Sequence, residues 1–97
     1  MNEPIKLVSQ GGATSIYINV RINENGDLLF SGQDIGSAPE EIFGDLDYEY
    51  WLTVPAVEKD KLLLALIEKH YGGDASVVST LREFMESREI PCNFHSH

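Results

Sequence analysis

Asp45-Leu46-Asp47-Tyr48-Glu49-Tyr50-Trp51-Leu52-Thr53-Val54 decides how this chain folds. Taken two residues at a time, it separates into two sets. Leu46, Tyr48, Tyr50, Leu52 and Val54 share one side; Asp45, Asp47, Glu49, Trp51 and Thr53 share the other. Side chains of a β-strand alternate between the faces of its sheet, so this pattern predicts a strand with one apolar face and one polar face. The polar face carries three carboxylates and the only tryptophan of the chain.

Upstream lie the strands that flank it. Thr14 to Ile22 alternates in the same way, with Ile16, Ile18, Val20 and Ile22 against Tyr17, Asn19 and Arg21. Asn23-Glu24-Asn25-Gly26-Asp27 follows, and its Asn-Gly pair predicts a hairpin with a type I′ turn, which needs positive φ at both central residues. The return strand runs from Leu28 to about Gln33, with Gly32 and Gly36 marking its weakening or a bulge. Ser37 to Gly44 reads as one helical turn, with Pro39 early and Glu40 and Glu41 facing the positive end of its dipole. Residues 1–13 read as a lead-in or a short edge strand at Ile5–Val8.

Downstream, Pro55 ends the key strand and opens a helix from Ala56 to Tyr71, with a wide apolar stripe through Val57, Leu63, Leu64, Leu66, Ile67 and Tyr71. Gly72-Gly73 stops it, and Asp74 or Ser76 caps a second helix. There Val77, Val78, Leu81, Phe84, Met85 and Arg88 keep core-facing spacing, Arg88 with its stem along the apolar edge. Ile90-Pro91 ends that helix, and Cys92 to Ser96 is a candidate final strand. The expectation is one α+β domain over residues 1–97. It has two layers, an antiparallel sheet in the order β-β-β-α-α-β, and both helices packed on one face.

Charge narrows the partners. Sixteen acidic residues against seven basic ones give a formal charge of −9 over 97 residues. That balance argues against nucleic acid, which calls for a basic footprint, and against anionic membranes. It suits a basic protein partner. Cys92 is the single cysteine, so no internal disulfide forms, and a reducing, cytoplasmic setting is expected. The N-terminal residues lack the basic and apolar regions of a signal peptide.

The runs Ser31-Gly32-Gln33-Asp34-Ile35-Gly36 and Glu40-Glu41-Ile42-Phe43-Gly44-Asp45-Leu46-Asp47-Tyr48-Glu49-Tyr50-Trp51, with the later Ile90-Pro91 and Phe94-His95-Ser96, resemble a small bacterial domain family. The resemblance extends over residues 14–96. It implies a single bacterial domain and brings no catalytic residue with it.

No catalytic constellation stands out, and the chain is expected to be no enzyme. It has no Gly-x-Ser-x-Gly elbow and no phosphate loop. Gly72-Gly73-Asp74 follows a helix where a phosphate loop needs a strand. Carboxylates of Asp45, Asp47 and Glu49 lie ~7 Å apart along a straight strand and do not converge on a cation without Asp34 or Glu40. His95 and His97 would share a face of a strand, with Cys92 on the other, so the three make no natural metal set. No cofactor or metal is expected.

The expected function is a small acidic interaction protein, immunity- or adaptor-like, monomeric or weakly dimeric. It would bind a basic partner through Asp45, Asp47, Glu49, Trp51, Tyr17 and Arg21, because carboxylates around an exposed aromatic suit Lys and Arg. The alternative is a small-molecule or divalent-metal site in the acidic loop from Gln33 to Asp47, built on Asp34, Glu40, Asp45 and Asp47.

Overall fold

The structure is a computed structural model that describes residues 3–36 and 47–97. Two compact units divide the chain, Met1–Leu62 and Leu63–His97.

Among its described residues, the first unit holds a sheet of four strands, β1 (Ile5–Gln10), β2 (Thr14–Ile22), β3 (Leu28–Gly36) and β4 (Asp47–Val54). They stand side by side in chain order, every pair antiparallel. The register is the one the alternation demands. Ile18 faces Gly32, and Gly32 faces Tyr50; Val20 faces Phe30, and Phe30 faces Leu52. Ile16, Ile18, Val20, Ile22, Leu28 and Phe30 are half-buried on this apolar face. None of the described apolar side chains is fully buried.

The hairpin between β2 and β3 differs from the expected turn. Among the described residues, Glu89 is the only non-glycine with positive φ, so Asn25 does not adopt the type I′ conformation. Asn23 and Asp27 instead close a three-residue loop in which Gly26, at φ +82°, takes the left-handed position. The Asn23 N–H donates to the Asp27 carbonyl (2.9 Å), and the Gly26 N–H to the Asn23 carbonyl (3.0 Å). Asn23 Oδ1 accepts the backbone N–H groups of Asn25 (2.9 Å) and Asp27 (3.0 Å). An Asn side chain that satisfies its own turn makes the second positive φ unnecessary.

Gly32 is a second correction. The β2–β3 and β3–β4 registers run through it without a shift, so it marks no bulge. It is buried, and a Cβ placed there would fall inside the Tyr50 ring, which lies across it. The glycine makes room for the tyrosine. The bulge of this sheet is in β1, between Lys6 and Val8. β1 lies at one edge of the sheet, realising the edge-strand option for the lead-in.

Pro55 ends β4, and Ala56–Glu58 forms a 3-10 turn. Asp27 reaches back from the hairpin to accept the Ala56 N–H at 2.8 Å. The predicted helical turn at residues 37–44, with Leu46 and Asp45, lies outside the described residues.

The second unit contains most of α1 (Lys59–Tyr71) and all of α2 (Val77–Ser87). Gly72 donates to the Glu68 carbonyl at 2.8 Å, and Gly73 turns out of α1 at φ +85°. The Asp74 carboxylate holds the turn into α2. Its Oδ1 accepts the Ser76 N–H (2.9 Å) and hydroxyl (2.6 Å). α2 closes on hydrogen bonds from Ile90 N–H to the Met85 carbonyl (2.9 Å) and from Glu89 N–H to the Glu86 carbonyl (3.2 Å), with Glu89 left-handed at φ 56°. This is a Schellman stop with glutamate where glycine is usual.

Residues 91–97 make no strand, contrary to the sequence expectation. Pro91 has no N–H to give a ladder, and Phe94 lies under the Arg82 guanidinium of α2, 4.7 Å from its ring centroid. Val78, Leu81, Met85, Cys92 and Phe94 line a shallow apolar depression of about 190 Å³ there.

The four-stranded antiparallel sheet followed by two helices is the α+β arrangement expected from the sequence.

Candidate functional site

The polar face of the sheet takes its shape from the register. Trp51 stands opposite Ser31, Ser31 opposite Asn19, and Asn19 opposite Lys6. Glu49 stands opposite Gln33, and Gln33 opposite Tyr17. Ser31 on β3 therefore lies between the taller Asn19 on β2 and Trp51 on β4. The result is an open depression of about 220 Å³ lined by Tyr17, Asn19, Ser31, Gln33, Glu49 and Trp51. It is smaller than the ~300–1,000 Å³ usual for small-molecule sites. Trp51 is 63% exposed and Tyr17 43%.

Tyr17, Glu49 and Trp51 thus come together. Asp47 is exposed on the same face, one row further along, opposite Ile35. Arg21 is on this face too, in the row of Leu29 and Thr53, but lines a separate depression with Asn23, Glu24 and Asn25. Asp45 lies outside the described residues. Charge is segregated across the face: Lys6 and Arg21 lie on β1 and β2, while Asp47 and Glu49 lie on β4.

Of the carboxylates proposed for the alternative site, Glu40 and Asp45 lie outside the described residues. The other two do not meet. Asp34 pairs with Tyr48 on the apolar face, whereas Asp47 pairs with Ile35 on the polar one. Asp34 instead accepts the Tyr50 hydroxyl at 3.2 Å. Burial of the phenol, reinforced by the Asp34 charge and hydrogen bond, raises the Tyr50 pKa above 10.0. The Tyr48 and Tyr50 rings lie 5.3 Å apart. Continuing the parity of Phe30 and Gly32 to position 34 places Asp34 on the apolar face; ending β3 at Gln33 hides it.

His95 and His97 meet edge to face, 5.2 Å between centroids, and Cys92 is exposed. His70 lies in the last turn of α1, its ring edge-on to Tyr71 at 4.6 Å. Among the described residues no three His, Cys, Asp or Glu side chains gather as metal ligands. No helix among them is long and apolar enough to cross a membrane.

No protein-family model matches this chain, and no curated protein or solved structure matches it. The resemblance of the Ser31–Gly36 and Glu40–Trp51 runs therefore assigns no family, and the functional reading rests on the face itself.

Proposed function

We propose that this protein is a non-enzymatic interaction module, immunity- or adaptor-like, that binds a basic protein partner through the polar face of its sheet. The observation that carries the reading is the grouping of exposed Trp51 with Glu49 and Tyr17 around one depression. An aromatic wall beside a carboxylate is a seat for a Lys or Arg side chain, by cation–π attraction and charge pairing together. Asp47 extends the acidic strip along β4, with Asp45 two residues before it in sequence; Arg21 belongs to the rim. The net charge of −9 adds long-range attraction for a basic surface. A cytoplasmic setting goes with the single cysteine.

The test is capture from lysate at low salt, with wild-type protein and a Glu49→Lys/Trp51→Ala variant as parallel baits. The reading expects a basic protein retained by the wild type, released as salt rises and missing from the variant. A protein retained equally by both baits, or no basic protein at all, contradicts it.

A further inference from the structure

The two edges of the sheet are built differently. Pro4 precedes β1, which carries Lys6 and is bulged between Lys6 and Val8; these devices stop one sheet edge from pairing with another. β4 has none of them. It is regular from Asp47 to Val54, contains no proline and no lysine, and among the described residues no strand pairs with its outer side. Its exposed side chains include Trp51 and Leu52, at 63% and 61%.

The distribution of charge along β4 indicates what fits there. Both carboxylates, Asp47 and Glu49, lie in its first half, and both donor side chains of the polar face, Trp51 and Thr53, in its second. We infer that β4 pairs antiparallel with β4 of a second copy about a two-fold axis at Tyr50, joining two sheets edge to edge. In that register Glu49 stands opposite the Trp51 of the second copy, and Asp47 opposite its Thr53. Each carboxylate meets a donor, the indole N–H or the threonine hydroxyl, and no carboxylate meets another. Opposite partners in an antiparallel pair have Cβ atoms ~4.5–5.5 Å apart, close enough for these contacts. Moving the axis to position 49 would set Glu49 against Glu49, which like-charge repulsion disfavours. The pairing is isologous, so it closes at two chains. It leaves the polar face open and continuous across the axis, with two depressions side by side.

The test is sedimentation equilibrium on the full chain over a concentration series, with circular dichroism to confirm that each variant folds. The wild type is expected at twice the 10.8 kDa of one chain. Trp51→Glu sets carboxylates opposite each other at both symmetry-related positions and is expected to raise the dimer dissociation constant roughly tenfold or more. Adding Glu49→Lys to that variant restores opposite charges and is expected to restore the dimer. A wild type that remains at one chain mass at ~100 μM, well above a micromolar dissociation constant, overturns the inference. So does a folded Trp51→Glu variant that dimerises like the wild type, or a double variant that stays monomeric.

Discussion

At the scale of single residues, two backbone positions show where side-chain choice meets geometry. Gly32 has no room for a methyl group because the Tyr50 ring occupies it. Gly32→Ala is therefore expected to cost about 1–3 kcal/mol, the range of overpacking in a filled site. The same change in a Tyr50→Ala background should cost much less. Urea unfolding of the four proteins measures the coupling, and an alanine tolerated at position 32 beside Tyr50 contradicts this packing. Glu89 is the reverse case, a side chain where glycine fits better. Its left-handed φ carries a penalty that glycine escapes, partly offset by the freedom glycine has when unfolded. Glu89→Gly should stabilise by up to about 1 kcal/mol, read as a rise in Tm. No rise would mean that Glu89 makes a compensating contact. Asp74 gives a pH dependence. The hydroxyl of Ser76, then its N–H, hold the Asp74 pKa below 3.8. A carboxyl whose pKa is lower folded than unfolded contributes its stability above the unfolded value and loses it as pH falls through the folded one. Asp74→Asn is expected to leave a smaller loss of stability on acidification below about pH 4. An unchanged acid limb would show that the Ser76 contacts add nothing.

At the scale of elements, β4 carries the account, and most of it was legible in the sequence. Alternation from Tyr48 to Val54 is strict, and Glu49 to Val54 pair with Gln33 to Leu28 of β3, each on the matching face. The β2–β3 hairpin was legible in place but not in type, because Asn23 satisfies the loop by side-chain hydrogen bonds that no Asn-Gly rule contains. The tail misled for a related reason. Cys92 to Ser96 has strand-like composition, but Arg82, ten residues before the segment begins, holds Phe94 against α2. Asp34 was misplaced as a loop acid because β3 extends three residues beyond Gln33. The two faces of β4 predict different responses to one substitution. Tyr50→Lys puts an ammonium into the half-buried apolar side and should destabilise by about 2–4 kcal/mol; Trp51→Lys leaves it in water and should cost under about 1 kcal/mol. Equal losses in urea unfolding would contradict this assignment of faces.

At the scale of the whole molecule, charge and surface direct the functional reading. A formal charge of −9 gives an electrostatic attraction for cations that ionic strength weakens, because screening shortens its reach to ~8 Å at 0.15 M salt. The candidate site was legible only in part. Period two put Tyr17, Glu49 and Trp51 on one face, but their meeting around Ser31 and Gln33 depends on a cross-strand register that two strands fix between them. Arg21 shares the face and not the depression for the same reason, since it pairs with Leu29, one row along from Asn19 and Ser31.

The most direct measurement uses Trp51 itself, the only tryptophan in the chain. Its emission is followed while the basic protein captured by the wild-type bait is added, with a tryptophan-free form of that protein or selective excitation of a labelled Trp51 to keep the signals apart. The account predicts a saturable change in Trp51 emission, weaker at raised salt and abolished by Glu49→Lys. Trp51 emission that stays unchanged while the partner is demonstrably bound would place the binding surface elsewhere and contradict the central claim.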